Sequence, residues 1–456
     1  MSILAADLPA SFVTKMQLQL GDTFPDFLKS LSEPAPVSIR LHPKKQHRYT
    51  DAPPVGWTKL GRYLAERPVF TLDPFFHAGA YYVQEASSMF LEQALSQSVD
   101  LLQPLHVLDL CAAPGGKSTH LLSLLNAESL LVSNEVIRSR AAILSENIQK
   151  WGNPIAAVTN NDPEDFQRLP GFFDVIVVDA PCSGEGLFRK DPNAMQEWSD
   201  ENVLLCSKRQ RRIVSDIWPS LKEQGILIYS TCTYNPEENE ENLAWLAQEH
   251  DVEFLTIKID PSWGNIAETK QDGITGYHFY PHQVKGEGFF ISVIRKKETG
   301  ESIRVKNSRG NFQAPTKKIL EQVQSWITEP DAFAFIQRDD LIQFLPASKV
   351  QEIELLSKNL RLIMAGTFTA TVKNTKIIPE HTLALSTQLN KGAFPSLALS
   401  IEDALHYLRK ETLQITAEHT GFTLMCHEDI PLGWGNVLPN RINNLYPAEW
   451  RIRMSV

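Results

Sequence analysis

The sequence of 456 residues is poor in cysteine, with five, at positions 111, 182, 206, 232 and 426. The number is odd and no two form a CxxC pair. A disulfide framework is excluded, and a reducing, cytoplasmic compartment is expected. Positive charge is also not in excess. Lys and Arg number 44 against 54 Asp and Glu, a formal net charge of −10. A general polyanion binder is excluded, so any contact with nucleic acid must come from a local patch. No apolar run approaches the ~18 residues of a membrane span. The start, with Asp7, lacks the basic and apolar stretches of a secretory signal. There is no internal repeat and no low-complexity segment. What is present, 43% apolar and 21% charged residues, supports two or three packed domains.

Residues 105–295 alternate short apolar runs with amphipathic stretches. Leu105–Leu110, Leu130–Ser133, Ile155–Thr159, Val175–Val178 and Gly225–Ser230 read as strands. Helices are expected over Lys117–Leu125, Val136–Lys150 and Ser199–Leu221. This pattern predicts a buried, mostly parallel sheet in an α/β fold. The helix over 199–221 places Val203, Cys206, Ile213, Ile217 and Leu221 on one face. Its other face carries Lys208, Arg209, Arg211 and Arg212, either a phosphate contact or a solvated surface. Asn235-Pro236-Glu237-Glu238 reads as the capped start of a further helix. A polar stretch around Lys306–Asn311, extending to Pro315, reads as a linker.

Three motifs carry chemistry. Asp109-Leu110-Cys111-Ala112-Ala113-Pro114-Gly115-Gly116-Lys117-Ser118 follows a strand and opens a helix. Small residues there let backbone approach a ligand, and free amides at the helix start favour an anionic group. Neither GxGxxG nor a Walker loop is present, which argues against a nicotinamide-dependent dehydrogenase. Glu135, Asp162 and Asp179 each follow a successive strand, so three acids are expected to line one crevice with the Gly-rich turn. Cys182, in Asp179-Ala180-Pro181-Cys182-Ser183-Gly184, and Cys232, in Ser230-Thr231-Cys232-Thr233-Tyr234, also lie just past strand ends. Their polar neighbours leave little for packing to explain. Cys206 and Cys426 read as core residues and Cys111 as packing beside the turn. Beside a nucleoside cofactor, two thiols suit methylation at carbon 5 of a pyrimidine. One thiolate adds at carbon 6 and a second group acts as base or assists release. Asp179, next to Pro181-Cys182, is placed for the polar edge of the ring.

CAAPGGKS at 111–118, DAPCSGEGLFRKDP at 179–192 and STCTYNPEENE at 230–240 closely resemble the NOL1/NOP2/Sun family of RNA cytosine-5 methyltransferases. The resemblance extends over residues 30–297, including Ser38-Ile39-Arg40-Leu41, Gln84-Glu85-Ala86-Ser87-Ser88 and Gly288-Phe289-Phe290-Ile291. It implies that Cys232 is the nucleophile and that Cys182 aids product release. It further implies that Cys111, Ala112, Ala113, Pro114, Gly115, Gly116 and Lys117, with Glu135, Asp162 and Asp179, bind S-adenosylmethionine. Lys117 would lie between cofactor and target base.

Residues 316–456 are similar to the appendage of bacterial small-subunit ribosomal RNA methyltransferases of the F type. The similarity rests on Gly366, Pro379–Ala384, Leu432–Asn436 and Arg441–Pro447. The expected architecture is a Rossmann-like, S-adenosylmethionine-dependent methyltransferase domain (101–297). An N-terminal α+β RNA-docking region (1–100) precedes it, and a linker (298–316) leads to a C-terminal PUA-like RNA-binding region (317–456). The implied substrate is ribosomal RNA, 16S or the small subunit. A transfer RNA substrate and a non-catalytic assembly factor are the alternatives. No membrane association and a monomer are implied.

Four further features have open readings. Trp434, Tyr446, Arg451 and Arg453 are either RNA contacts or, for the aromatics, core. Pro43–Arg48 is a basic stretch leaning toward RNA. His278 and His282 read as loop residues without a metal. Phe422–Cys426 alternates as a strand.

Overall fold

In the computed structural model, residues 7–303, 305, 312–413, 415 and 419–454 are described. The Lys306–Asn311 part of the expected linker lies outside them. The described chain forms three regions.

The first holds helices Ala10–Leu20 and Phe24–Leu31. A three-stranded antiparallel sheet comes next, of β1 (Val37–Leu41), β2 (Gly61–Leu64) and β3 (Tyr81–Val83), with β1 central. The second is the α/β body. Its parallel strands are β4 (His106–Asp109), β5 (Leu130–Asn134), β6 (Ala156–Thr159), β7 (Phe173–Asp179) and β8 (Leu221–Thr231). Antiparallel additions are β9 (Val252–Phe254), β10 (Ala267–Gln271), β11 (Ile274–Phe279) and β12 (Phe289–Lys296). The third region contributes β13 (Phe333–Arg338), β14 (Leu341–Pro346), β15 (Leu362–Ala365), β16 (Thr367–Lys373) and β17 (Lys376–Pro379). It closes with β18 (Ser396–Ala398), β19 (Gly421–His427), β20 (Ile430–Leu438) and β21 (Arg441–Asn444).

The main sheet runs β10-β11-β12-β8-β7-β4-β5-β6-β15. Its parallel part reverses direction of progression at β4, and ligands of such sheets bind outside the carboxyl ends of the strands at that point. The parallel strands are apolar on both faces because helices cover both. Val107, Leu131, Val132, Ala157, Val175 and Val177 are all fully buried. Each expected parallel strand is present, and β15, from beyond the expected linker, pairs antiparallel with β6.

Several local expectations are corrected. The helix after Cys232 is Glu240–Glu249, not a helix opening at Pro236. Glu238 does not complete a capping box. Its carboxylate turns inward and accepts from Ser183 N at 3.0 Å and Gln210 Nε2 at 2.8 Å. His278 lies in β11 and bonds Glu240 at 2.5 Å, not in a loop. For Trp434 and Tyr446 the core alternative holds, at 1% and 0% exposed. Trp434 spends its indole N–H on Glu380 O at 2.8 Å, so neither ring is available for stacking. The Phe422–Cys426 alternation does form a strand, β19. No helix among the described residues is long and apolar enough to cross a membrane.

In the basic stretch 43–48, Lys44 and Arg48 are exposed while Lys45 is half-buried and turned inward. Lys45 Nζ donates to Ala78 O at 2.8 Å and Lys150 O at 2.6 Å, the carbonyls of two helix ends. Arg48 pairs with Glu428 of the third region.

Candidate active site

The Gly-rich turn between β4 and the helix Gly116–Leu124 is set by Gly115, whose φ of 114° belongs to the left-handed region. A methyl group there would also press on Leu144 Cδ1 at 3.3 Å. No side chain caps the start of this helix, leaving its first amides free for a ligand. The helix is anchored from the first region by Arg40 of β1, which is fully buried. Its guanidinium donates to Gln84 Oε1 at 2.9 Å, Ser123 Oγ at 2.9 Å and Thr119 Oγ1 at 2.6 Å. It also reaches the carbonyls of Thr119 and Gly116. Arg40 itself stands over the Trp151 ring.

A cavity of about 160 Å³ lies between this turn and the segment Tyr82–Ser88. Cys111, Ala112, Ala113, Pro114, Gly116, Lys117 and Asp179 line it, with Gln84 and Glu85 opposite. Lys117 Nζ bonds Asp179 Oδ2 at 2.8 Å. Burial lowers the affinity of Lys117 for its proton, but the Asp179 carboxylate outweighs it and holds the ammonium above its usual range. The other Asp179 oxygen accepts from Ser230 Oγ at 2.9 Å, tying the end of β7 to the end of β8. Glu135, 3% exposed, accepts from Ile137 N at 2.9 Å. Arg140 joins it to the turn, reaching Glu135 at 3.4 Å and donating to Ala113 O at 2.9 Å.

Asp162 is apart from that cavity and bonds Arg212 Nη2 at 3.1 Å. Both readings of the basic helix face stay open. Arg212 bonds Asp162 and Arg211 bonds Asn242 at 2.7 Å, while Lys208, Arg209 and Arg212 are all exposed.

Cys182 and Cys232 meet across the ends of β7 and β8 with their Sγ atoms 3.1 Å apart. The Cys232 amide also donates to Cys182 Sγ at 3.3 Å. The bond to Cys232, together with burial, pushes the Cys182 thiol well above its ordinary range. Cys182 is therefore held as a thiol that can donate to the neighbouring sulfur. Cys206 and Cys426 are buried in the core, and Cys111 packs beside the turn while facing the cavity. Among the described residues no group of His, Cys, Asp or Glu has the arrangement of a metal site.

Two carboxylates that sequence reasoning passed over hold the cysteine loops together. Glu185, 2% exposed, accepts from Thr233 Oγ1 at 2.7 Å, Tyr234 N at 2.9 Å, Asn235 Nδ2 at 3.1 Å and Trp198 Nε1 at 2.9 Å. The adjacent Gly186 N donates to Cys232 O at 2.8 Å. Glu238 grips the other loop at Ser183, and burial pushes its carboxyl up to about 7. The signal for Glu185 was its place inside the PCSGEG motif. Glu238 was masked by its resemblance to a helix cap.

Comparison with known proteins identifies the family. The family model described as 16S rRNA methyltransferase RsmB/F matches residues 99–295. The N-terminal domain of 16S rRNA methyltransferase RsmF matches residues 8–86, and the RsmF PUA domain matches 394–452. A ribosomal RNA small subunit methyltransferase F from Escherichia coli is 31% identical, over 97% of this chain and 96% of its own. Its namesake from Aliivibrio fischeri is 30% identical, over 97% of each. A solved methyltransferase homolog from Pyrococcus horikoshii shares 27% identity at a TM-score of 0.51, covering 63% of this chain and all of that one. The structure of NSun6 from Pyrococcus horikoshii with SFG has the same fold, at TM-score 0.53 and 20% identity, covering 64% and 98% of the two chains. With a Rossmann-like methyltransferase body, an RsmF-type N-terminal domain and a C-terminal PUA domain, the chain belongs to the ribosomal RNA small subunit methyltransferase F family.

Proposed function

We propose that the protein transfers a methyl group from S-adenosylmethionine to carbon 5 of a cytosine in small-subunit ribosomal RNA. The observation that carries this reading is the approach of two free thiols to 3.1 Å past the ends of β7 and β8, where Asp179, which lines the Gly-rich cavity, accepts from Ser230. The names of the relatives support small-subunit ribosomal RNA as the substrate class.

Cys111–Lys117, Glu135 and Asp179 would hold the cofactor, while Asp162, also expected there, is paired with Arg212 apart from the cavity. When bound, S-adenosylmethionine supplies the methyl from its sulfonium. Cys232 Sγ, as thiolate, bonds to carbon 6 of the ring, and the carbon 5–carbon 6 π pair moves into an enamine that is nucleophilic at carbon 5. Lys117 and Asp179 are the paired charges that face the ring and fix its polar edge. After carbon 5 has gained its methyl, it loses its proton to water. That electron pair re-forms the double bond, and the bond to Cys232 breaks. Cys182, kept as a thiol, donates a hydrogen bond to the departing sulfur. The target cytosine must be single-stranded or splayed out, because a stacked base hides carbon 6.

The test is a denaturing gel of enzyme incubated with cofactor and ribosomal RNA. Cys182→Ala traps a covalent RNA adduct through Cys232, whereas Cys232→Ala forms none. Equal adduct from both variants rejects the assignment. Mapping 5-methylcytosine in ribosomal RNA with and without the gene identifies the target, and an unchanged map rejects the substrate.

A further inference from the structure

The 160 Å³ cavity beside Lys117 is the space the cofactor would take, so the neighbours of a splayed-out cytosine at Cys232 need a place of their own. We infer that a second, larger cleft next to it is the seat of a nucleotide flanking the target in the RNA strand. This rests on the RNA-methylating reading and adds a subsite to it.

The cleft encloses about 540 Å³, between the segment 33–37, the end of β2, Arg189 and the loop 281–285. That volume is in the range of about 300–1,000 Å³ typical of small-molecule sites. It shares a wall with the cofactor cavity, and the wall is rigid. Glu85, which lines the small cavity, accepts from Glu287 N at 2.9 Å. Glu287 in turn bonds Arg189 Nε at 3.0 Å, and Arg189 lines the large cleft. Arg189 also donates to Gly286 O and Ser30 O, fixing both rims. From Cys232 the cleft is close along the chain: Gly186 N donates to Cys232 O at 2.8 Å, and Arg189, in the same loop, lines the cleft.

The lining matches a nucleotide in kind. Pro34, Pro36, Leu64 and Val284 contribute apolar surface against which a base can lie. Lys285 provides the cation. Its backbone carbonyl is held by Tyr63 OH at 2.6 Å, and its ammonium rests over the Tyr63 ring at 4.4 Å. Lys285 is exposed and has no carboxylate partner among the described residues. The charge of Arg189 is already answered by Glu287, so Lys285 is the group left to meet a phosphate. Glu33 also lines the cleft, which excludes a site built on charge alone and leaves base contact as the main term.

The test uses the full-length Cys182→Ala enzyme with a short single-stranded RNA around the mapped cytosine. 4-Thiouridine is placed singly at each neighbouring position and irradiated once the adduct has formed. One flanking position is expected to cross-link within 33–37 or 281–285. In the otherwise native enzyme, Ala35→Trp fills the cleft and raises KM for RNA about tenfold, the loss of roughly one stacked base, with KM for S-adenosylmethionine unchanged. Lys285→Ala lowers the slope of log affinity against log salt by about 0.7, one phosphate contact on a single strand. Should Ala35→Trp fail to fold, the cross-link and Lys285→Ala decide. Adduct formation with cross-links only elsewhere, or a normal salt slope for Lys285→Ala, overturns the cleft while leaving the reaction intact. Absence of any adduct instead overturns the reaction on which it rests.

Discussion

The carboxylate of Glu185 accepts the hydroxyl of Thr233 at 2.7 Å, one residue beyond Cys232. With Tyr234 N, Asn235 Nδ2 and Trp198 Nε1 it has four donors and no acceptor among its partners. Glu185→Gln puts an amide NH₂ against some of those donors and orphans at least one, a cost of about 1–3 kcal/mol. Slippage of the Cys232 loop by an ångström would lower kcat by about 10²-fold. The expected result is a slow rate of adduct formation in the Cys182→Ala background with unchanged cofactor affinity, Glu185→Asp falling between. A lowered melting temperature with normal kcat would reduce Glu185 to a purely structural part.

A dependence of stability on pH arises from Asp109 and Glu238. Burial pushes each carboxyl up to about 7, Asp109 from 3.8 and Glu238 from 4.5. In the folded state these groups hold protons that the unfolded chain has released. Their contribution is therefore full below about pH 4 and declines as pH rises through 7. Asp109→Asn and Glu238→Gln each remove up to one proton's worth of that decline, about 1.4 kcal/mol per pH unit. Urea unfolding at pH 5 and pH 7.5 measures it, and an unaltered pH slope in both variants refutes the assignment.

Arg40 joins the first region to the helix that carries the Gly-rich turn through five acceptors on Gln84, Gly116, Thr119 and Ser123. A lysine has three donors on a flexible stem and cannot reproduce that fork. Arg40→Lys is expected to cost about 1.5–3 kcal/mol, the scale of lost hydrogen bonds to a buried charged group. It is also expected to weaken S-adenosylmethionine binding, because Gly116 loses its hold. Calorimetric titration of the cofactor, run beside chemical denaturation, reads both. Wild-type affinity in the folded variant would separate Arg40 from the turn.

The range of the forces involved decided which features sequence patterning could reveal. The parallel strands were legible because burial on both faces leaves continuous apolar runs such as Val175–Val178. The two cysteine loops were legible because thiols among polar residues at strand ends have few other uses. The inward turn of Glu238 was not, since Asn235-Pro236-Glu237-Glu238 satisfies the local rules of a helix start and only Ser183 and Gln210, distant in sequence, override them. The internal role of Lys45 was equally hidden, because its partners are carbonyls at Ala78 and Lys150. Trp434 and Tyr446 have an amphipathic chemistry that suits RNA and core alike, and only packing distinguishes them.

The pairing of β15 with β6 makes the methyltransferase body inseparable from the C-terminal region of the chain. Leu362 and Met364 sit opposite Thr159 and Val158, and the Gly366 amide reaches back to Ala156 O at 2.9 Å. A polypeptide ending near residue 300 would leave that flank of β6 with a bare row of amides and carbonyls, inviting another chain to add on. Such a fragment is expected to self-associate or to be lost to proteolysis. Trimming the gene to its catalytic motifs is therefore a poor route to a minimal enzyme.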